Sequence, residues 1–152
     1  MNDTQVLLPS ADPARHLPLA ALREALEALP APPRDLGVVA LIVERHPGEA
    51  RRTPEVGVFA PGKGLLGDRW AQSERANPEA EVTLMRADVA KLVCNGQDLS
   101  LPGDNLLVSL DLSVENLPTG SRLQVGEAVL EITAKPHTGC GKFAQRFGAD
   151  AR

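Results

Sequence analysis

The residues with the clearest chemical potential lie in Lys135-Pro136-His137-Thr138-Gly139-Cys140-Gly141-Lys142-Phe143, where one cysteine stands between two glycines with basic residues on either side. A thiolate, not a thiol, is the nucleophile and the soft-metal ligand, and nearby positive charge or a helix N-terminus lowers a thiol pKa toward the range where the thiolate forms. Residues 142–147 contain no helix breaker and place Phe143 and Phe147 four apart, which predicts a short helix starting directly after the cysteine. The first N–H groups of that helix would face the sulfur or an anion beside it. The plainer alternative is a small apolar residue in a tight turn, because free cysteines are commonly buried and inert. The flanking glycines favour the reactive reading, since they open the backbone to a ligand. His137 has two readings as well: it orients or deprotonates the thiol, as in Cys-His nucleophiles, or it is a solvated loop residue.

A second polar group, Asp68-Arg69, ends the loop Pro61-Gly62-Lys63-Gly64-Leu65-Leu66-Gly67. As a surface ion pair it would contribute about 0 to 1 kcal/mol. As a site, Arg69 would grip a phosphate or carboxylate in bidentate fashion while Asp68 orients it. Gly62, Gly64 and Gly67 favour the second reading, because a ligand can approach the backbone there and use its N–H groups. The spelling Gly62-x-Gly64-x-x-Gly67 matches a dinucleotide-binding loop, but no amphipathic helix follows it before Asn77-Pro78. Neither Gly-Lys pair is followed by Ser or Thr, so neither is a Walker loop. His137 and Cys140 have half of a zinc spacing, and the other half is missing: Cys94 stands alone, while His16 and His46 lie in unrelated segments. Cys94 reads as core.

At 152 residues the chain fits one domain with a core large enough to need no disulfide. The two cysteines are far apart, no leading apolar stretch resembles a signal peptide, and no apolar run spans a bilayer, so the expected setting is a reducing cytoplasm away from membranes. A net charge of −4 and the absence of tyrosine argue against a nucleic-acid partner. Any anionic ligand must be met by local positive charge.

The supporting elements follow from periodicity and breakers. Residues 1–13 read as a loose arm, and Leu19, Leu22, Leu26 and Leu29 mark one face of a helix that begins near Pro18 and ends at Pro30. After the stiff run Pro30-Ala31-Pro32-Pro33, residues 37–44 read as a strand buried on both faces, and residues 46–53 as a polar loop. Strands are expected at 55–59, 81–85 and 105–110, a helix at 87–93 closed by Asn95-Gly96, and a hairpin of 122–125 with 128–133 around Gly126-Glu127. Residues 71–80 read as solvated. With 13 glycines and 13 prolines, the pattern predicts a strand-rich, mainly β fold, a curved sheet or small barrel with a few short helices, divided as an arm and helix over 1–35 and a main domain over 36–152.

Taken in order, the strand at 37–44, Gly64-Leu65-Leu66-Gly67-Asp68-Arg69, Gly103-Asp104-Asn105-Leu106, Pro118-x-Gly120-x-x-Leu123-x-Val125-Gly126 and Pro136-His137-Thr138-Gly139-Cys140 resemble the MOSC domain. That module occurs at the C-terminus of molybdenum cofactor sulfurases and as small stand-alone bacterial proteins. The leading helix is similar to the N-terminal extension of a small bacterial subgroup. The resemblance implies a β-barrel-like fold and a cysteine that carries sulfur, as a persulfide, or ligates the molybdenum of a pterin cofactor. On that basis Cys140 is the expected metal ligand and, with His137, the reactive pair. Lys63, Gly67, Asp68, Arg69, Asp104, Asn105 and Lys142 are then the expected cofactor-binding residues.

Two departures qualify the implied activity. The family's pyridoxal phosphate belongs to a separate domain that this chain is too short to contain, so no covalent pyridoxal phosphate is expected on it. Members usually continue past residues 147–151, so either the barrel closes differently or this is a truncated form with an open sheet edge, which would favour homo-oligomers. The activity is left open between a sulfur transferase and a component of a molybdenum-dependent oxidoreductase, either with a protein sulfur donor or redox partner. The alternatives are a thiol-dependent enzyme on an electrophilic or N-hydroxylated small molecule, and a non-catalytic binding module.

Overall fold

Pro18 precedes the first helix, as expected, in a computed structural model that describes residues 5–152. Helix α1 (Leu19–Glu27) ends short of Pro30, and the Leu19 N–H, an orphan donor of its first turn, is met by Asp150 Oδ2 at 3.0 Å. Only Leu22 of its apolar stripe is fully buried. It enters a core cluster with Val93, Cys94, Leu101 and Phe147, so the leading helix shares a core with the segments that follow. Val93 and Cys94 belong to α2 (Ala87–Cys94), which Asn95 closes in the left-handed conformation.

A three-stranded sheet lies beside these helices in the order β1 (Val39–Ile42), β7 (Leu106–Val108), β6 (Leu84–Arg86). β7 runs antiparallel to β1 and parallel to β6. Three two-stranded ribbons surround it: β2 (Glu44–Arg45) with β3 (Arg51–Arg52), β4 (Phe59–Ala60) with β5 (Gly64–Leu65), and β8 (Arg122–Val125) with β9 (Ala128–Glu131). The last of these turns at Gly126-Glu127, as the sequence predicts. Helix α3 (Gly141–Phe147) follows Cys140 directly.

The class is mixed α/β, which corrects the mainly β expectation: the fold is 27% helical against 18% strand, and no closed barrel forms among the described residues. The strands are two to four residues long. β1 carries an irregularity between Val39 and Leu41. At Gly64 the chain enters the left-handed region with the Glu81 carbonyl 2.6 Å from where a Cβ would sit, so no side chain fits there. The strand buried on both faces is β7, not residues 37–44, since Val38 and Val39 are exposed. Residues 46–53 are not a plain loop: a 3-10 turn, Pro47–Glu49, joins β2 to β3. The strand expected at 55–59 is reduced to β4.

Residues 1–4 of the expected loose arm lie outside the described residues. Further along it, Leu7 and Arg51 exchange two backbone hydrogen bonds at 2.8 Å, which ties the arm to β3. Among the described residues, no helix is long and apolar enough to cross a membrane.

Candidate functional site

Cys140 is exposed and occupies the N-cap of α3. The helix is anchored from below by Phe147, 1% exposed, whose ring packs against Phe143 at a centroid distance of 4.8 Å. His16 Nε2 donates to the Arg146 carbonyl at 3.0 Å, and Arg152 Nε donates to the Gly139 carbonyl at 2.9 Å. These contacts hold the thiol at the wall of a cleft of about 320 Å³. The same cleft is lined by Arg45, Arg51, Arg69, Lys142 and Arg146, and by His137 and Asp104.

His137 Nε2 lies 2.5 Å from Asp104 Oδ1. That hydrogen bond, against an opposing desolvation, raises the His137 pKa above its ordinary value. The ring is therefore biased toward the imidazolium, which makes it a poorer base for Cys140 and a better neighbour for an anion. Among the described residues, no hydrogen bond joins His137 to Cys140. Because the folded pKa is the higher one, this pair stabilises the fold fully below the unfolded histidine value and loses its contribution as pH rises through the folded value. Asp104→Asn is expected to move the His137 midpoint downward in an NMR pH titration of the imidazole carbons; an unmoved midpoint would assign the shift to some other group.

Asp68 does not orient Arg69, and here the structure corrects the sequence. The buried Asp68 carboxylate grips Arg45 in bidentate fashion, accepting from Nε at 2.9 Å and Nη2 at 2.7 Å. It also accepts the backbone N–H of Arg45 at 2.6 Å and that of Trp70 at 3.0 Å. Burial alone would raise its pKa, but the hydrogen bonds and charge of Arg45 outweigh that and hold it below the ordinary value. Arg69 lines the cleft without this support, with Nη1 3.8 Å from Glu49 Oε1.

Three more of the expected binding residues lie outside the cleft lining. Lys63 lies in the exposed turn between β4 and β5, away from the cleft lining. Gly67, φ +95°, is also outside it; a Cβ there would come within 2.9 Å of the Glu44 carboxylate, so its lack of a side chain makes room for Glu44. Asn105 is fully buried and acts as a strut: Nδ2 donates to the Val43 carbonyl at 3.3 Å, and Oδ1 accepts from the Thr83 N–H at 3.1 Å. Lys142 faces the cleft, with its ammonium donating to Glu49 at 2.6 Å.

Arg45, Glu49, Arg51 and Arg146 are site residues that the sequence reading missed. Arg146 had a signal, since it falls one helical turn after Lys142 on the same predicted face. Arg51 had none: it is 1% exposed, and a buried arginine is invisible in a polar stretch. Glu49 accepts from Lys142 and Arg146 and stands 3.5 Å from Arg51 Nη2. The Lys142 hydrogen bond first, against desolvation, and then the charge of Arg146 bring its pKa from 4.5 down to about 2. Its contribution to stability is thus present above pH 4.5 and is lost as pH falls through about 2.

Among the described residues, no group of three or more His, Cys, Asp or Glu side chains is placed to hold a metal ion. Cys94 is sealed in the core, where burial pushes its pKa up to about 12. The chemistry available to the cleft is that of one accessible thiol facing a concentration of fixed positive charge. Comparisons of the chain with protein-family models, with curated proteins and with solved structures found no match.

Proposed function

We propose that the chain is a MOSC-type protein whose cleft receives an anionic, phosphate-bearing ligand of the molybdenum-pterin class, with Cys140 as sulfur carrier or metal ligand. The observation that carries this reading is the presence of an exposed thiol in one cleft with Arg45, Arg51, Arg69, Lys142 and Arg146. Guanidinium and ammonium groups are the donors that a phosphate requires, and a thiolate suits a soft metal. The donor set fits a metal that arrives with ligands of its own, since among the described residues no group of three or more His, Cys, Asp or Glu side chains is placed to hold one. When bound, such a centre would supply oxygen- or sulfur-atom transfer. Arg69, Lys142 and Arg146 would hold the phosphate, and the reading carries with it the family's barrel-like relation between the strands. It also places the protein in a reducing cytoplasm, with a small molecule and a protein sulfur donor as partners.

As a carrier, Cys140 would act by a balanced exchange. Its thiolate attacks the outer sulfur of a donor persulfide, the donor's S–S bond breaks, and the donor leaves as a thiolate. The buried Cys94 thiol does not compete, since burial keeps it in the neutral form. The test is purification of wild type and Cys140→Ala from a host that makes the cofactor, followed by assays for molybdenum, pterin fluorescence and persulfide. Wild type is expected to carry at least one of these, and the variant to lose it; equal signals from both proteins reject the role of Cys140.

A second reading, a thiol-dependent enzyme on an electrophilic or N-hydroxylated small molecule, draws on one observation: Asp104, His137 and Cys140 line the same cleft. The His137 ring is engaged by Asp104 and biased toward its charged form, which favours the anion-binding reading over a base-activated thiol.

A further inference from the structure

Four cationic side chains of the cleft converge on a single carboxylate. Glu49 accepts from Lys142 Nζ at 2.6 Å and from Arg146 Nη2, and stands 3.5 Å from Arg51 Nη2 and 3.8 Å from Arg69 Nη1. Three of these cations come from segments far from residue 49 in sequence or from a different element, so the cluster is a product of the fold. Glu49 itself is delivered by the turn between β2 and β3, where Gly48 and Glu49 both have positive φ, +70° and +63°. That conformation is uncommon for glutamate.

The two innermost cations are held independently of the carboxylate. Arg51 donates to the carbonyls of Ser100, Glu49 and Ala50 at 3.2, 3.1 and 3.1 Å, and Arg146 Nη1 donates to the Leu101 carbonyl at 3.0 Å. Gly103 faces both guanidinium groups without a side chain: a Cβ there would lie 3.6 Å from Arg146 Nη1 and from Arg51 Nη2. The Glu49 side chain is 44% exposed, so it can swing into water with no core contact broken.

We propose that Glu49 is a displaceable internal occupant of an anion site, neutralising Arg51, Arg69, Lys142 and Arg146 in place of a phosphate-class dianion and leaving when one binds. The proposal rests on the reading of the cleft as an anion site, and it does not depend on molybdenum or on Cys140. A carboxylate offers two oxygens and one charge to four cations, whereas a phosphate dianion offers more acceptor oxygens and a second charge. A free carboxylate or other small monoanion would replace like with like against a tethered competitor of high effective concentration, and so gains nothing. Glu49 therefore acts as a selectivity element that admits dianions and excludes ambient monoanions.

Calorimetric titration with inorganic phosphate and with acetate, at fixed ionic strength and neutral pH, tests this on wild type and Glu49→Gln. Removal of the internal competitor is expected to tighten phosphate binding at least about tenfold, and to create acetate binding that wild type lacks. Phosphate binding that is equal or weaker in the variant, or absent from both proteins, overturns the proposal. A second measurement needs no variant: with glutamate-labelled wild type, saturating phosphate is expected to shift the carboxyl carbon signal of Glu49, assigned by through-bond correlation. A signal that stays fixed while phosphate binds also overturns it. Repeating the titrations in Cys140→Ala keeps the two readings apart. Unchanged phosphate binding there, in a protein family of variants that never retains molybdenum, pterin or persulfide, would remove the cofactor assignment and leave Glu49's role standing.

Discussion

Asp68→Ala is expected to lower folding stability by about 3 kcal/mol, the lower end of the range for breaking a buried ion pair by removing one partner. The lower end applies because Arg45 keeps 17% of its side chain exposed while the Asp68 side chain keeps 1%, so the orphaned guanidinium recovers some water. The cost has three parts: two hydrogen bonds to the guanidinium, the N–H of Arg45, and the N–H of Trp70 at the head of a 3-10 turn. Urea unfolding at unchanged slope should show the loss as a lower midpoint. A loss under about 1 kcal/mol would place the pair among surface ion pairs and refute its supporting role. Arg45 and Asp68 together are thus a frame for the cleft, with Arg45 as its lining face.

Phe147→Ala is expected to cost about 3 to 5 kcal/mol, the usual range for emptying a buried aromatic site. Phe147 is 1% exposed and belongs to the cluster that α1, α2 and α3 share. Its loss removes the wedge that seats α3, and α3 carries Cys140, Lys142 and Arg146. A thermal scan should show the midpoint falling by roughly 10 °C for a domain of this size. A shift of only a degree or two would mean that the helix is held by its backbone and guanidinium contacts, not by the ring.

Legibility in the sequence was uneven, and the pattern has physical reasons. Elements specified by local signals were readable: Pro18 and Pro30 bracket α1, Asn95-Gly96 closes α2, Gly126-Glu127 turns β8 into β9, and Phe143 with Phe147 announces α3. Strand lengths were not, because they depend on close approaches between distant segments, such as Gly64 on the Glu81 carbonyl. The exposure of Val38 and Val39 likewise contradicts a hydropathy rule that counts apolar residues without knowing what covers them. At the site, Cys140, His137, Lys142 and Arg69 do meet in one cleft, and Asp104 joins them. What sequence order could not give was pairing: Asp68 precedes Arg69 in the chain, yet chelates Arg45 across 23 positions. The positive charge expected from a helix end comes mostly from arginines on other elements.

The stitch between Leu7 and Arg51 gives the leading arm a grip on the cleft. Arg51 reaches the cluster from the very residue whose peptide group clasps the arm, so a leash at the front of the chain is anchored where the pocket's charge is set. Affinity tags, fusions or trimming near residue 7 are therefore edits to the seat of Arg51, however remote they look on a linear map.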